Sequence, residues 1–169
     1  MNEATSRPGL RRSMRLALVC LALAGAAGVA RADGTDGIVV ESFPGVPYAE
    51  LRAALADAIA DEGLSTPVVS QFARMLERTA ADLGHAPALY ADAEILTFCS
   101  ASVAARLVTE APARIALCPL SIAVFSLPHT PQDTALAYRP PTLASPGGDA
   151  ARALMARIVA GAASLVGRR

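Results

Sequence analysis

The sequence predicts an α+β domain, and three observations carry that prediction. Several segments place apolar residues at three- and four-residue spacing, the signature of helices with one buried face. Between them stand short apolar runs bounded by glycine and proline, which read as strands. The last two of these runs, either side of Pro128–Asp133, are close enough to pair as a hairpin. The densest part runs from Ala93 to Arg139, where strand-like runs and one helical segment carry two cysteines.

Taken in order, Ile38 to Phe43 reads as a first strand, closed by a Pro44-Gly45 turn. Pro47 suits the first turn of a helix. Tyr48, Leu51, Leu55 and Ile59 then recur at helical spacing, and Gly63 is placed to end that helix in the left-handed conformation. Leu64 to Val69, interrupted by Pro67, suits an edge strand. Ser70 can cap a second helix with Phe72, Met75, Leu76, Thr79 and Leu83 on one face, stopped by Gly84.

Glu94 to Cys99 is the next strand. Ser100 or Ser102 can cap a third helix striped by Val103, Leu107 and Val108, and Pro112 ends it. The apolar run Ile115–Leu127 is split by Pro119, so its strand starts near Leu120. Thr134 to Tyr138 pairs back on it, with His129 at the tip of the turn. Ser145-Pro146-Gly147-Gly148 reads as a linker. Asp149 then caps a last helix with Leu154, Ile158, Ala162 and Leu165 on one side. Packing on the domain is preferred for that helix over a membrane surface, since Arg152 and Arg157 make a poor electrostatic anchor.

Residues 1–32 read as a cleaved export signal. Arg7, Arg11, Arg12 and Arg15 precede the uncharged run Leu16–Val29, and Ala30-Arg31-Ala32 fits the small-x-small cleavage rule. The run is short for a membrane span of ~20 residues, so no stable anchor is expected after cleavage. Residues 33–46 form a lead-in and the first strand, and residues 47–169 a single domain, sited in the periplasm or outside the cell. The signal holds five of the fifteen arginines and one of the fifteen acids. What remains has ten bases against fourteen acids, a formal charge of −4, and no lysine. A mildly acidic chain without a basic run argues against nucleic acid as partner.

The segment Phe98-Cys99-Ser100, the helix after it, Pro112, Cys118-Pro119-x-Ser-Ile-Ala-Val-Phe and Ala137-Tyr138-Arg139-Pro140 together resemble the bacterial domain of unknown function 302 family. Within it they are similar to an exported subgroup with the pattern FCS…CP-x-x-I-x-V…YR. The likeness extends over about residues 48–166. It implies an antiparallel-rich sheet of about four to five strands covered by about four helices, and it implies no reaction. Leu120 stands where that subgroup often has an aromatic, and Phe125-Ser126 where it often has Tyr-Glu. A role resting on that tyrosine hydroxyl or carboxylate is therefore not carried over.

Cys99 and Cys118 are the first candidates for chemistry. They are a structural disulfide, two buried thiols, or a redox or metal-binding pair. Their spacing is not Cys-x-x-Cys, so the thioredoxin signature is absent. Parallel neighbouring strands would hold them at opposite ends of a sheet, beyond the ~7 Å Cα separation a disulfide spans. Antiparallel neighbours, or a kink at Pro119, would bring them together.

His85 and His129 are the only histidines, each beside a turn proline and more simply surface residues. The cysteine and histidine spacings match no zinc pattern, and neither a metal nor a cofactor is expected. No serine-hydrolase elbow, phosphate loop or dinucleotide fingerprint occurs. Tyr138 and Arg139 close a strand, where the arginine would hold an internal acid or a ligand carboxylate; His85 is a further ligand-binding candidate. The reading is an exported binding domain for a small ligand or a protein partner, a homodimer being among the open assemblies. The alternative is a periplasmic redox or metal-handling protein using Cys99 and Cys118.

Overall fold

The computed structural model describes residues 30–33, 37–86 and 88–167. Apart from Ala30–Ala32, the expected export signal lies outside them. The strands are β1 (Ala30–Asp33), β2 (Val39–Phe43), β3 (Val68–Ser70), β4 (Asp92–Phe98), β5 (Leu120–Leu127) and β6 (Thr130–Tyr138). The helices are α1 (Tyr48–Asp61), α2 (Phe72–Leu83), α3 (Ala101–Glu110) and α4 (Pro146–Val166), with a 3-10 segment at Pro112–Leu117.

The strands form one antiparallel sheet in the order β1-β2-β6-β5-β4-β3. The α+β class and the helix count are as the sequence predicts. β2 to β6 supply the five strands expected, and Ala30–Asp33 adds a sixth along β2. β3 is the edge strand that Pro67 suggested.

Strand alternation sorts the two faces of the sheet. Leu96 and Phe98 of β4, Leu120, Ile122 and Val124 of β5, and Leu136 and Tyr138 of β6 point to the inner face and are buried. Leu51, Leu55 and Ile59 of α1 and Leu154, Met155, Ile158 and Val159 of α4 complete that core. α1 and α4 cross closely, because a Cβ added to Gly161 would stand 3.2 Å from the Cβ of Ala58. On the outer face, Ile95, Thr97, Ala123, Phe125, Ala135 and Ala137 are half-buried. α2 reaches over one end of that face through edge-to-face contacts, Phe72 with Tyr90 at 6.1 Å and Tyr90 with Phe125 at 5.7 Å.

The stop signals act where expected. Gly63 and Gly84 both adopt φ +71° after their helices, a conformation that costs glycine little. Other boundaries differ. Ser70 stays in β3, and Gln71 takes the N-cap position of α2 without a side-chain bond. The β5–β6 turn shortens to Pro128-His129, because β6 already begins at Thr130.

The supposed linker at residues 145–148 is the first turn of α4. Ser145, not Asp149, is the cap, accepting a bond from Gly148 N at 3.2 Å. Glu110, at the end of α3, accepts another from Gly147 N at 2.6 Å, so a carboxylate sits at the positive end of α4. The glycines are there for space. A Cβ on Gly148 would lie 2.2 Å from the Leu143 carbonyl oxygen, and one on Gly147 3.0 Å from Leu107 Cδ2.

Candidate functional site: a thiol pair beside an arginine cleft

β4 and β5 are antiparallel neighbours, with Thr97 opposite Ser121 and Phe98 opposite Leu120. α3 and the 3-10 segment form the excursion that joins them. The last residue of β4 and the first of β5 are thus partners, and Cys99 and Cys118 emerge at the same end of the sheet. The arrangement that would have parted them, parallel neighbours, does not occur.

Both cysteines are free thiols; Cys99 is exposed and Cys118 half-buried. Cys99 stands between buried Phe98 and buried Ser100, so alternation turns its side chain outward with Thr97. Cys118 instead packs against the core. Burial above all, followed by the charge and hydrogen bond of neighbouring Cys99, pushes the Cys118 thiol above its ordinary range. Cys118 is accordingly the shielded sulfur of the two, and Cys99 the one that faces solvent. The Cys118–Pro119 peptide is cis.

Ser100 caps α3 by accepting from Val103 N at 3.4 Å, and its hydroxyl lies 3.1 Å from that of Ser102. The residue after Cys99 is therefore fixed by the helix it starts.

A cleft of about 300 Å³ opens beside Cys118, lined by the residues on either side of it but by neither cysteine itself. Leu117 and Pro119, the residues flanking Cys118, form one wall; Arg139, Pro141 and Thr142 form another, and Ser121 lines it as well. Tyr138 and Arg139 part company here. Tyr138 is 5 % exposed in the core, with Ile122 as its ladder partner. Arg139, one residue on, emerges on the outer side. No ion pair or side-chain hydrogen bond engages Arg139 among the described residues, so the internal acid expected for it is missing there.

The histidines lie elsewhere. His129 occupies the β5–β6 turn, at the far end of β5 from Cys118, roughly 25 Å along an eight-residue strand. His85 follows α2, where its Nδ1 donates to the Ala86 carbonyl at 2.8 Å and its Nε2 is shielded with no partner among the described residues. Among the described residues no three His, Cys, Asp or Glu side chains are grouped to hold a metal ion.

Sequence reasoning missed a polar group on the inner face. Arg52 of α1 donates to Glu94 of β4 at 2.9 Å. Tyr48 Oη is shielded beside Glu94, and burial, then the charges of Glu94 and Asp92, raises its pKa far above the phenolic range. Ser126 Oγ, opposite Asp92, is buried with no hydrogen-bond partner among the described residues. Glu94 at an alternating strand position was the available signal, but its facing partner on α1 was not visible in sequence.

This geometry defines a class: an antiparallel α+β domain with two neighbouring thiols at one end of its sheet. Residues 39–161 match the model of the family described as Domain of unknown function DUF302, and the chain belongs to that family. Among solved structures it is similar to the uncharacterized conserved protein DUF302 from Bacillus stearothermophilus, with a TM-score of 0.51 and 17 % identity. That match covers 76 % of this chain and 96 % of the other, and it shows a shared fold. No curated protein matches the chain.

Proposed function

We propose that this protein is an exported dithiol protein in which Cys99 and Cys118 cycle between thiols and a disulfide. The observation that supports it is that an exposed Cys99, just past the end of β4, and a half-buried Cys118, just before β5, are neighbours at the same end of two antiparallel strands. Cys99 attacks an external disulfide and bonds to one of its sulfurs, and the other leaves as a thiol. Cys118 then attacks the Cys99 sulfur and releases the second external thiol. Two electrons pass from the protein to the external pair, and the two protein thiol protons end on the released thiols. In the periplasm or outside the cell such a pair meets oxidising conditions.

A second reading keeps the protein a non-catalytic binding domain, for a small ligand or as a homodimer, with the same two sulfurs as a permanent clamp. The burial of Cys118 and its raised pKa favour that version, since a shielded sulfur exchanges slowly.

Equilibration of the processed protein in glutathione buffers, followed by alkylation and intact mass, separates the two. The dithiol reading expects a reduction potential above about −300 mV, within reach of exchange partners. A potential below about −300 mV makes the bond a structural clamp. Two thiols that never pair under oxidising buffer overturn both versions.

A further inference from the structure

We infer that the cleft beside Cys118 is a subsite for a small carboxylate-bearing thiol or disulfide, with Arg139 binding the carboxylate and the sulfur projecting past the cleft toward Cys99. This rests on the dithiol reading and names its substrate class.

Three clefts each hold an arginine in their walls. In the first, lined by Gly37, Pro140, Pro141 and Arg152, the arginine is already engaged. Arg152 donates to the Pro141 and Leu143 carbonyls at 2.7 and 2.8 Å and pairs with Asp149. In the second, about 500 Å³ in volume, Arg74 shares the walls with Glu77 and Asp92, so its charge is offset locally. The third holds Arg139 among proline, leucine and hydroxyl side chains, with no acid on its walls. Of these three, it alone presents an uncompensated cation.

Its position relative to the sulfurs follows from strand register. Tyr138 faces Ile122 across the β5–β6 ladder, which places Arg139 beside Ser121. Ser121 faces Thr97 across the β4–β5 ladder, and Cys99 lies two residues beyond Thr97 on the same side. Arg139 and Cys99 thus stand on the two neighbours of β5, two strand spacings across and two residues along, on the order of 12 Å apart between Cα atoms. A short-chain carboxylate spans that distance. Its alkyl part rests on Pro119 and Leu117, its carboxylate meets the guanidinium, and its sulfur reaches Cys99. Guanidinium and carboxylate suit each other in charge and planar geometry. The formal charge of −4 outside the signal repels anions in general, so a preference for them has a local origin.

The test measures rates of mixed-disulfide formation on the Cys118→Ser protein, which halts the reaction at Cys99. Three probes are used: dithiodibutyrate (carboxylates), cystamine (ammoniums) and hydroxyethyl disulfide (neutral). With Arg139 present, dithiodibutyrate is expected to react about tenfold faster than cystamine, the scale of one charge-assisted hydrogen bond. Arg139→Gln brings that ratio close to unity, and Arg139→Lys restores part of it. Equal rates with all three probes, or a preference that survives Arg139→Gln, overturn the subsite and leave the dithiol reading standing. If none of the three forms a mixed disulfide, the dithiol reading itself is overturned.

Discussion

Gly148 shows how one residue can be misread when only its conformational freedom is considered. In the sequence, Pro146-Gly147-Gly148 has the composition of a flexible joint. In the fold it is the tightest point of the α4 start, where a single methyl group would enter the Leu143 carbonyl at 2.2 Å. Gly148→Ala is expected to lower stability by about 3 kcal/mol, the upper part of the range for forced overpacking. Urea unfolding would show it as a lower midpoint. Gly167→Ala, whose added Cβ would meet its nearest atom at an ordinary 3.4 Å, should change stability by about 0.5 kcal/mol or less. A Gly148→Ala midpoint equal to that of Gly167→Ala would contradict the packing argument. Tyr138 and Arg139 give the same lesson from the other side. Sequence adjacency made them a pair, whereas strand alternation sends one to the core and the other to the cleft.

At the scale of elements, prolines and glycines made most boundaries legible. Pro119 marks where β5 begins, and Gly63 and Gly84 mark where α1 and α2 stop, because these residues restrict or permit backbone angles locally. What periodicity does not encode is the direction in which neighbouring strands run. Cys99 and Cys118 were identifiable as candidates, but their meeting depends on β4 and β5 being antiparallel across an intervening helix. Contacts between helices were equally hidden. Arg157 in the middle of α4 donates two bonds of 2.8 Å to Glu62, just past the end of α1.

Those bonds to Arg157 hold the Glu62 carboxyl below its ordinary range. A depressed carboxylate pKa stabilises the fold above the unfolded-state value, here 4.5, and that stability is lost as pH falls through the folded-state value. Both side chains are partly exposed, at 24 % and 57 %, so solvent screening keeps the effect below about 1 kcal/mol. Glu62→Gln should therefore unfold at lower urea than the parent at neutral pH, and the gap should close in acid. A gap that widened as pH fell would reverse the sign assigned to this pair.

For the molecule as a whole, the class was legible because helical and strand periodicities alternate within one domain-sized length. The side of the sheet that each helix covers was not. α1, α3 and α4 share the inner face, and α2 lies across the outer one. A β4–α3–β5 excursion that leaves the sheet and returns beside its point of departure has a consequence for motion. Oxidation would turn residues 99–118 into a closed ring containing α3 and the 3-10 segment, and removing the open ring's freedom is worth roughly 3 kcal/mol in the chain-entropy view. α3 would then lose its independent route to unwinding. Amide exchange in Ala104–Glu110 should slow on oxidation, while exchange in α2, outside the ring, keeps its rate. Equal slowing in both helices would mean that the sulfurs grip the entire fold. A selective effect would make α3 a clock whose ticking reports the oxidation state of its own tether.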